Sequence, residues 1–94
     1  MIEIRVLDHE LYAGYVEKVP EIIKKHGGRY LIRGGEVISM FGNWDPERII
    51  LIEFETLEKL RNCFNSEKYL EIAPSRENST ITESIVVNGY LPPE

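Results

Sequence analysis

The sequence predicts a small α+β domain in which strands and helical regions follow the order β-α-β-β-α-β. Three observations predict this class. Apolar residues recur at every second position near the N-terminus, they recur at helical spacing in two longer segments, and the internal run RIILIEF is apolar on both faces. A chain of 94 residues suits one domain. We therefore expect a single domain over residues 1–94, with an ordered core over about residues 2–89.

The first strand and the first helix are predicted from the N-terminal part of the chain. Residues 1–7 alternate between apolar and polar side chains, which is typical of a strand with one buried face. Asp8 is a favourable N-cap, and Gly27-Gly28 is a typical helix end. Because Pro20 lacks an N–H, we expect a kink, or two helices meeting, near it.

The middle of the chain predicts further strands around a pair of glycines. Residues 30–33 and 37–41 are apolar runs, and Gly34-Gly35 between them is either a hairpin turn or a bulge in one long strand. Residues 48–54 form the run with two apolar faces, which favours an interior position in the sheet.

The last third predicts a second helical region and a final strand. Thr56 and Ser66 are favourable N-caps for two helices, and Pro74 predicts a restart in the second of them. Residues 80–88 predict the last strand, and residues 91–94 a short tail. Right-handed connections then place the helices on one face of an antiparallel sheet with the order 4-1-3-2, which is a ferredoxin-like plan.

The apolar run predicts a partner. Residues 49–52 point to both faces of their strand, whereas the helices cover only one face of the sheet. Each exposed Ile or Leu forgoes about 1.5–3 kcal/mol of burial, and the core of a chain this small is thin. We expect a second copy to cover the open face; the alternative is a sheet that curls to bury both faces. Further apolar residues expected on this face are Tyr30, Ile32, Ile38, Ile85 and Val87.

Composition excludes some partners. The net charge is −5 and the pI is about 5.1, which argues against nucleic acid and anionic membranes as partners. The lone Cys63 fits a reducing cytoplasm, and neither a signal peptide nor an apolar run of transmembrane length is visible. We therefore expect a cytoplasmic protein.

The stretches HGGRYLIRGGEV, PERIILIEF and SEKY resemble a family of small bacterial proteins, domain of unknown function 1330, within the dimeric α+β-barrel superfamily. The resemblance extends from Asp8 to Asn88. It implies a ferredoxin-like fold and a homodimer whose sheets face each other. The family often has a small residue or Pro after the Glu-Phe pair, where Glu55 and Thr56 stand here. Relatives in the superfamily include cofactor-free monooxygenases, isomerases and ligand-binding proteins, so the resemblance implies no single activity.

Two residues are candidates for catalysis. His26 follows the first helix near cationic and phenolic side chains, where an imidazole can act as a general base. Glu53 lies in the most apolar strand, where burial would raise the pKa of its carboxyl group. The structural alternatives are a His26 that satisfies helix C-terminal carbonyls and a Glu53 that pairs with an arginine. The arginines considered for that pair are Arg48, Arg33 and Arg76.

Aromatic and cationic residues are the candidates for ligand binding. They are Tyr30, Arg33, Trp44, Tyr69 and Arg76. Arg33 offers a planar fork for a carboxylate beside two glycines that permit close approach. Trp44 lies in a turn-rich loop, where it closes a pocket, anchors a partner or packs locally. The spacing of His, Cys and Asp predicts no metal site, and no dinucleotide-binding motif is present, so no cofactor is expected.

Two functions fit these residues. The first is a homodimer that binds or converts a small acidic or phenolic molecule in a cleft, without an organic cofactor. The second is a non-catalytic dimeric module for ligand sensing or interaction. The sequence leaves open whether the protein is an enzyme.

Overall fold

The computed structural model describes residues 1–89, and the tail predicted for residues 91–94 lies outside them. The strands are β1 (Ile2–Val6), β2 (Arg29–Arg33), β3 (Arg48–Glu53) and β4 (Thr80–Ser84). The helices are α1 (His9–Lys25), α2 (Leu57–Phe64) and α3 (Glu67–Ser79). None of the helices within residues 1–89 combines the length and the apolarity needed to cross a membrane.

The four strands form one antiparallel sheet with the order β2-β3-β1-β4. The predicted α+β fold is confirmed, and the doubly apolar strand β3 lies inside the sheet. Ile4 of β1 and Ile50 of β3 are buried beneath the helices. The molecule is only 16 Å thick along its shortest axis, because the helices form one layer and the sheet the other.

The helices begin at the predicted caps. Asp8, Thr56 and Ser66 each accept a hydrogen bond from the backbone N–H three residues later. The two helices predicted to meet near Pro20 and the restart predicted at Pro74 are wrong, since α1 continues through Pro20 and α3 continues through Pro74. The alternative of a kink near Pro20 stays a prediction. The packing of α1 on α3, in which buried side chains of both helices take part, outweighs the local cost of each proline.

The segment after β2 differs from both sequence interpretations. The register of β2 on β3 shifts between Tyr30 and Ile32, so the irregularity precedes the glycines. Gly34 has a φ of +72° and its N–H makes the last bond to β3, to the oxygen of Ile49. Residues 35–47 form no strand, and the prediction of a strand over 37–41 is wrong, because the chain leaves the sheet at Gly34.

The two sheet faces follow from the register. Tyr30 pairs with Ile52 on the face that packs against the helices, which corrects its predicted place on the open face. On the open face, Ile32 pairs with Leu51. The regular part of β4 ends at Ser84 and not at residue 88, although backbone bonds between Met1 and Ile85 extend the ladder by one step.

Candidate functional site

A cavity of about 500 Å³ lies between the helix-facing side of the sheet and the helices. Its size is that of a small-molecule site. Most of the wall is apolar, but four phenols and three guanidinium groups also line it. They belong to Tyr12, Tyr15, Tyr30, Tyr69, Arg33, Arg48 and Arg76. Glu77 is the one carboxylate among the described lining residues, so the cavity is cationic in a protein of net charge −5.

Tyr15, Tyr69 and Arg76 form one hydrogen-bonded chain. The hydroxyl oxygens of Tyr15 and Tyr69 are 3.1 Å apart, and Arg76 Nε donates to the Tyr69 hydroxyl at 3.2 Å. Burial raises the pKa of Tyr15 above its usual range, and the neighbouring Tyr69 raises it further. Tyr15 therefore stays a neutral phenol at physiological pH. Arg76 also forms an ion pair with Glu77, with 3.8 Å between Nη2 and Oε1.

Arg33 is engaged by the fold. Its Nη2 donates to the carbonyl of Val16 at 2.9 Å, and its Cζ lies 5.1 Å from the centre of the Tyr30 ring. Val16 is four residues before Pro20, and a proline has no N–H with which to bond that carbonyl. Arg33 thus satisfies the acceptor that Pro20 leaves free in α1.

Arg48, unlike Arg33, satisfies no backbone carbonyl in the described chain. It is half-buried at the start of β3, and its Nε is buried without a hydrogen-bond partner in the described chain. The ion pairs of residues 1–89 do not include it. Its Cζ lies 5.9 Å from the centre of the Tyr12 ring, and the Tyr12 hydroxyl is likewise buried and unpartnered.

Gly34 determines where the Arg48 side chain lies. A Cβ built on Gly34 would overlap the guanidinium carbon and Nη1 of Arg48, so only a residue without a side chain leaves this space open. The positive φ of Gly34 also favours glycine. The turn after β2 and the side chain at the start of β3 are therefore matched to each other.

The structure brings four of the seven predicted residues to this cavity, namely Tyr30, Arg33, Tyr69 and Arg76. The other three lie elsewhere. His26 Nδ1 is 2.9 Å from the carbonyl oxygen of Ile22 at the end of α1. Trp44 Nε1 donates to Glu3 Oε2 at 2.9 Å, beside a smaller surface depression. The roles of all seven residues stay predictions.

Glu53 is an exposed surface residue. It accepts a 2.8 Å hydrogen bond from Nη2 of Arg29, so its partner is none of the three arginines considered from the sequence. Arg29 and Glu53 are register partners in β2 and β3, which accounts for the pair. The carboxylate is solvated rather than buried because Glu53, like Leu51 two residues before it, points to the face of β3 that is away from the helices.

Comparison with known proteins supplies a family. The family model described as domain of unknown function DUF1330 matches residues 1–90. The chain belongs to this family. No curated protein matches the sequence of this DUF1330 protein. A crystal structure of a protein of unknown function from Rhodopseudomonas palustris superposes with a TM-score of 0.71 and 13% identity, over 93% of this chain and 80% of that chain. At that identity, the likeness concerns the fold alone.

Of the seven phenol and guanidinium groups that line the cavity of the DUF1330 protein, three were not among the sequence candidates, namely those of Tyr12, Tyr15 and Arg48. The spacing of Tyr12 and Tyr15 fits the packed face of a helix as well as a pocket, so the sequence alone does not single them out. The sequence indicates Arg48 only as a possible partner of Glu53. The feature that could have revealed it is its place at the start of the most apolar strand, where a cation is costly without a partner.

Cys63 contributes no nucleophile. The thiol is fully buried, and burial raises its pKa to about 11, so it remains protonated at neutral pH. Within residues 1–89, His, Cys, Asp and Glu side chains do not gather in groups of three that could hold a metal ion.

Proposed function

We propose that this DUF1330 protein binds a small molecule with an apolar body and an acidic or phenolic group, in the cavity between sheet and helices, as a homodimer. The observation that carries the proposal is the wall of the cavity. Among the described residues, it combines apolar side chains with four phenols and three guanidinium groups, against the single carboxylate of Glu77. Such a wall favours an amphipathic anion or a phenol over a cation or a sugar.

The same wall favours binding without catalysis as the alternative function. Histidine does not line the described cavity, and the phenol of Tyr15 is held neutral by burial. A general base needs a pKa near the working pH. Neutral phenols and guanidinium groups donate hydrogen bonds to a ligand readily but are poor proton acceptors, so ligand sensing is the second candidate. Recovery of an unchanged ligand after prolonged incubation, read by NMR, favours sensing; a new product favours an enzyme.

The homodimer is proposed from the open face of the sheet. By register, Ile32, Leu51 and Ile81 lie on the sheet face that the helices of residues 1–89 leave uncovered. A second copy is the simplest cover, because a two-fold axis lets the same patch meet itself. We also propose that the protein is bacterial and cytoplasmic; a single cysteine, Cys63, suits a reducing compartment.

The segment after β2 adds to the apolar surface. The side chains of Ile38, Met40 and Phe41 are 79%, 81% and 84% exposed. Burying three such side chains is worth about 4–9 kcal/mol, at about 1.5–3 kcal/mol for each. Exposed apolar patches of this kind are typical of interaction surfaces. We expect the segment to pack on the partner subunit.

A thermal-shift screen tests ligand binding. Aromatic and alicyclic acids, phenols and their neutral analogues are added to the purified protein, and a compound that binds the folded state raises the melting temperature. Ala73 lines the cavity, so Ala73→Leu should narrow it and reduce the shift. The matched control is Ala13→Leu at an exposed position, which should respond like the wild type. If no compound shifts the wild type, or if both variants shift equally, the cavity is not the binding site.

A further inference from the structure

We infer that Arg48 is the residue that receives the acidic group, and that the ligand is a monocarboxylate with an apolar body. The inference rests on the proposed function, because it assigns the anion site within the same cavity. It departs from the sequence, which singled out Arg33.

The three arginines of the cavity wall differ in the partners that they already have. Arg33 already donates to the carbonyl of Val16, and Arg76 already donates to Tyr69 and contacts Glu77. Arg48 alone has neither an ion pair nor a hydrogen bond recorded for its guanidinium group among residues 1–89. A half-buried cation without a partner is costly, and an anion that binds to it removes that cost.

The guanidinium group of Arg48 is held in position from more than one side. It lies across the backbone of Gly34 on one side and near the ring of Tyr12 on another. Tyr12 comes from α1, Gly34 follows β2 and Arg48 begins β3, so three elements fix one side chain. A fork held in place before the ligand arrives loses little conformational entropy on binding. We regard Gly34 and Tyr12 as positioning residues for Arg48.

The shape and charge of the site favour a carboxylate over other anions. The planar fork of an arginine matches the two oxygens of a carboxylate. One unpartnered guanidinium group balances one charge, and the rest of the wall is mostly apolar. A phenol is neutral at pH 7 and has a single oxygen, and a phosphate carries more charge than Arg48 balances. A carboxylate on an aromatic or alicyclic body fits both parts of the cavity.

The experiment is isothermal titration calorimetry with benzoate and cyclohexanecarboxylate as acids, benzamide and phenol as neutral probes, and inorganic phosphate. We expect the wild type to bind an acid more tightly than benzamide, phenol or phosphate. Arg48→Lys keeps the charge but loses the fork, and should weaken acid binding by about tenfold or more while leaving benzamide binding unchanged. Arg33→Lys should weaken acid binding less than Arg48→Lys does, since Lys can still donate to Val16. The matched control is Arg61→Lys, at an exposed arginine outside the cavity wall, which should stay within about threefold of the wild type.

A second pair of variants moves Arg48 without changing any charge. Gly34→Ala should displace the guanidinium group and weaken acid binding, whereas Gly35→Ala, where a Cβ meets no atom within 4 Å, should not. Circular dichroism must show that each variant is folded. Loss of acid binding in Arg33→Lys with retention in Arg48→Lys would overturn the inference. Equal binding of acid and benzamide, or tighter binding of phosphate, overturns it while the proposed cavity survives; if no probe binds at millimolar concentration, both proposals fall.

Discussion

Adjacent residues of β3 offer the sharpest test of the proposed homodimer. Ile50 is 7% exposed and faces the helices, whereas Leu51 is half-buried and faces away from them, in register with Ile32. Substitution by Asp therefore perturbs a different part of the structure at each position. Ile50→Asp tests the core of one subunit, and Leu51→Asp tests the face that we assign to the partner.

The expected magnitudes differ widely. Ile50→Asp forfeits about 1.5–3 kcal/mol of burial and adds several kcal/mol for an unpaired carboxylate in the core. That sum is comparable with the total stability of a small domain, about 5–15 kcal/mol, so this variant should unfold. Leu51→Asp costs one subunit less than Ile50→Asp, about 1–2 kcal/mol for the lost burial, because part of the Leu51 side chain is already in water. In the dimer, however, two carboxylates would enter an apolar interface, which should dissociate it.

Sedimentation velocity at micromolar protein and circular dichroism separate these outcomes. We expect a dimeric wild type whose melting temperature rises with protein concentration, and a Leu51→Asp protein that sediments as a monomer with lower stability. The control is Leu57→Asp, an exposed Leu at the start of α2, which should remain a folded dimer. A monomeric wild type with a concentration-independent melting temperature, or a Leu51→Asp dimer of unchanged affinity, refutes the reasoning.

Three further predictions concern stability. Tyr69→Phe removes hydrogen bonds to Tyr15 and Arg76 and should lower the free energy of unfolding by about 1–3 kcal/mol. Tyr12→Phe removes a hydroxyl that has no partner within residues 1–89 and should leave the free energy of unfolding unchanged. Urea titration of both variants checks this, and equal losses would contradict it. The pKa of Cys63 is raised from 9.0 to about 11, so stability is full below pH 9 and falls between pH 9 and 11 as only the unfolded thiol ionises. The fall should be about 2–3 kcal/mol smaller in Cys63→Ala, as measured by urea titration at each pH. Gly28→Ala would place a Cβ 2.6 Å from the Cγ2 of Ile23 and 2.8 Å from the Phe54 ring, so its melting temperature should fall while that of Gly35→Ala stays unchanged.

Local patterns predicted the elements whose causes are local. The alternation before Asp8 corresponds to β1, and the two-faced apolar run corresponds to the interior strand β3. The three caps were predicted correctly because a capping side chain bonds a backbone N–H only three residues away. Both the residue type and its partner therefore lie within one short window of sequence.

The errors arise where distant residues decide the outcome. Pro20 leaves a carbonyl free in α1, and the donor that satisfies it comes from Arg33 in another element. Pairing between β2 and β3 stops at Gly34, where the chain leaves the sheet. Residues 37–41 therefore pair with no strand of the described chain, although their composition suits one. A window of sequence contains neither the remote donor nor the missing neighbour, and its propensity alone gives the wrong structure.

The two longest stretches that carry the family resemblance meet at the cavity. Gly34 belongs to HGGRYLIRGGEV and Arg48 belongs to PERIILIEF, and the guanidinium group of the second lies against the backbone of the first. Gly28, in the same first stretch, leaves room for the side chains of Ile23 and Phe54 in the core. The first stretch thus contains one glycine that packing requires and another that an arginine requires. The fold accounts for Gly28 by itself, but it offers no comparable reason to hold an unpaired Arg48 over Gly34, and an anion supplies that reason.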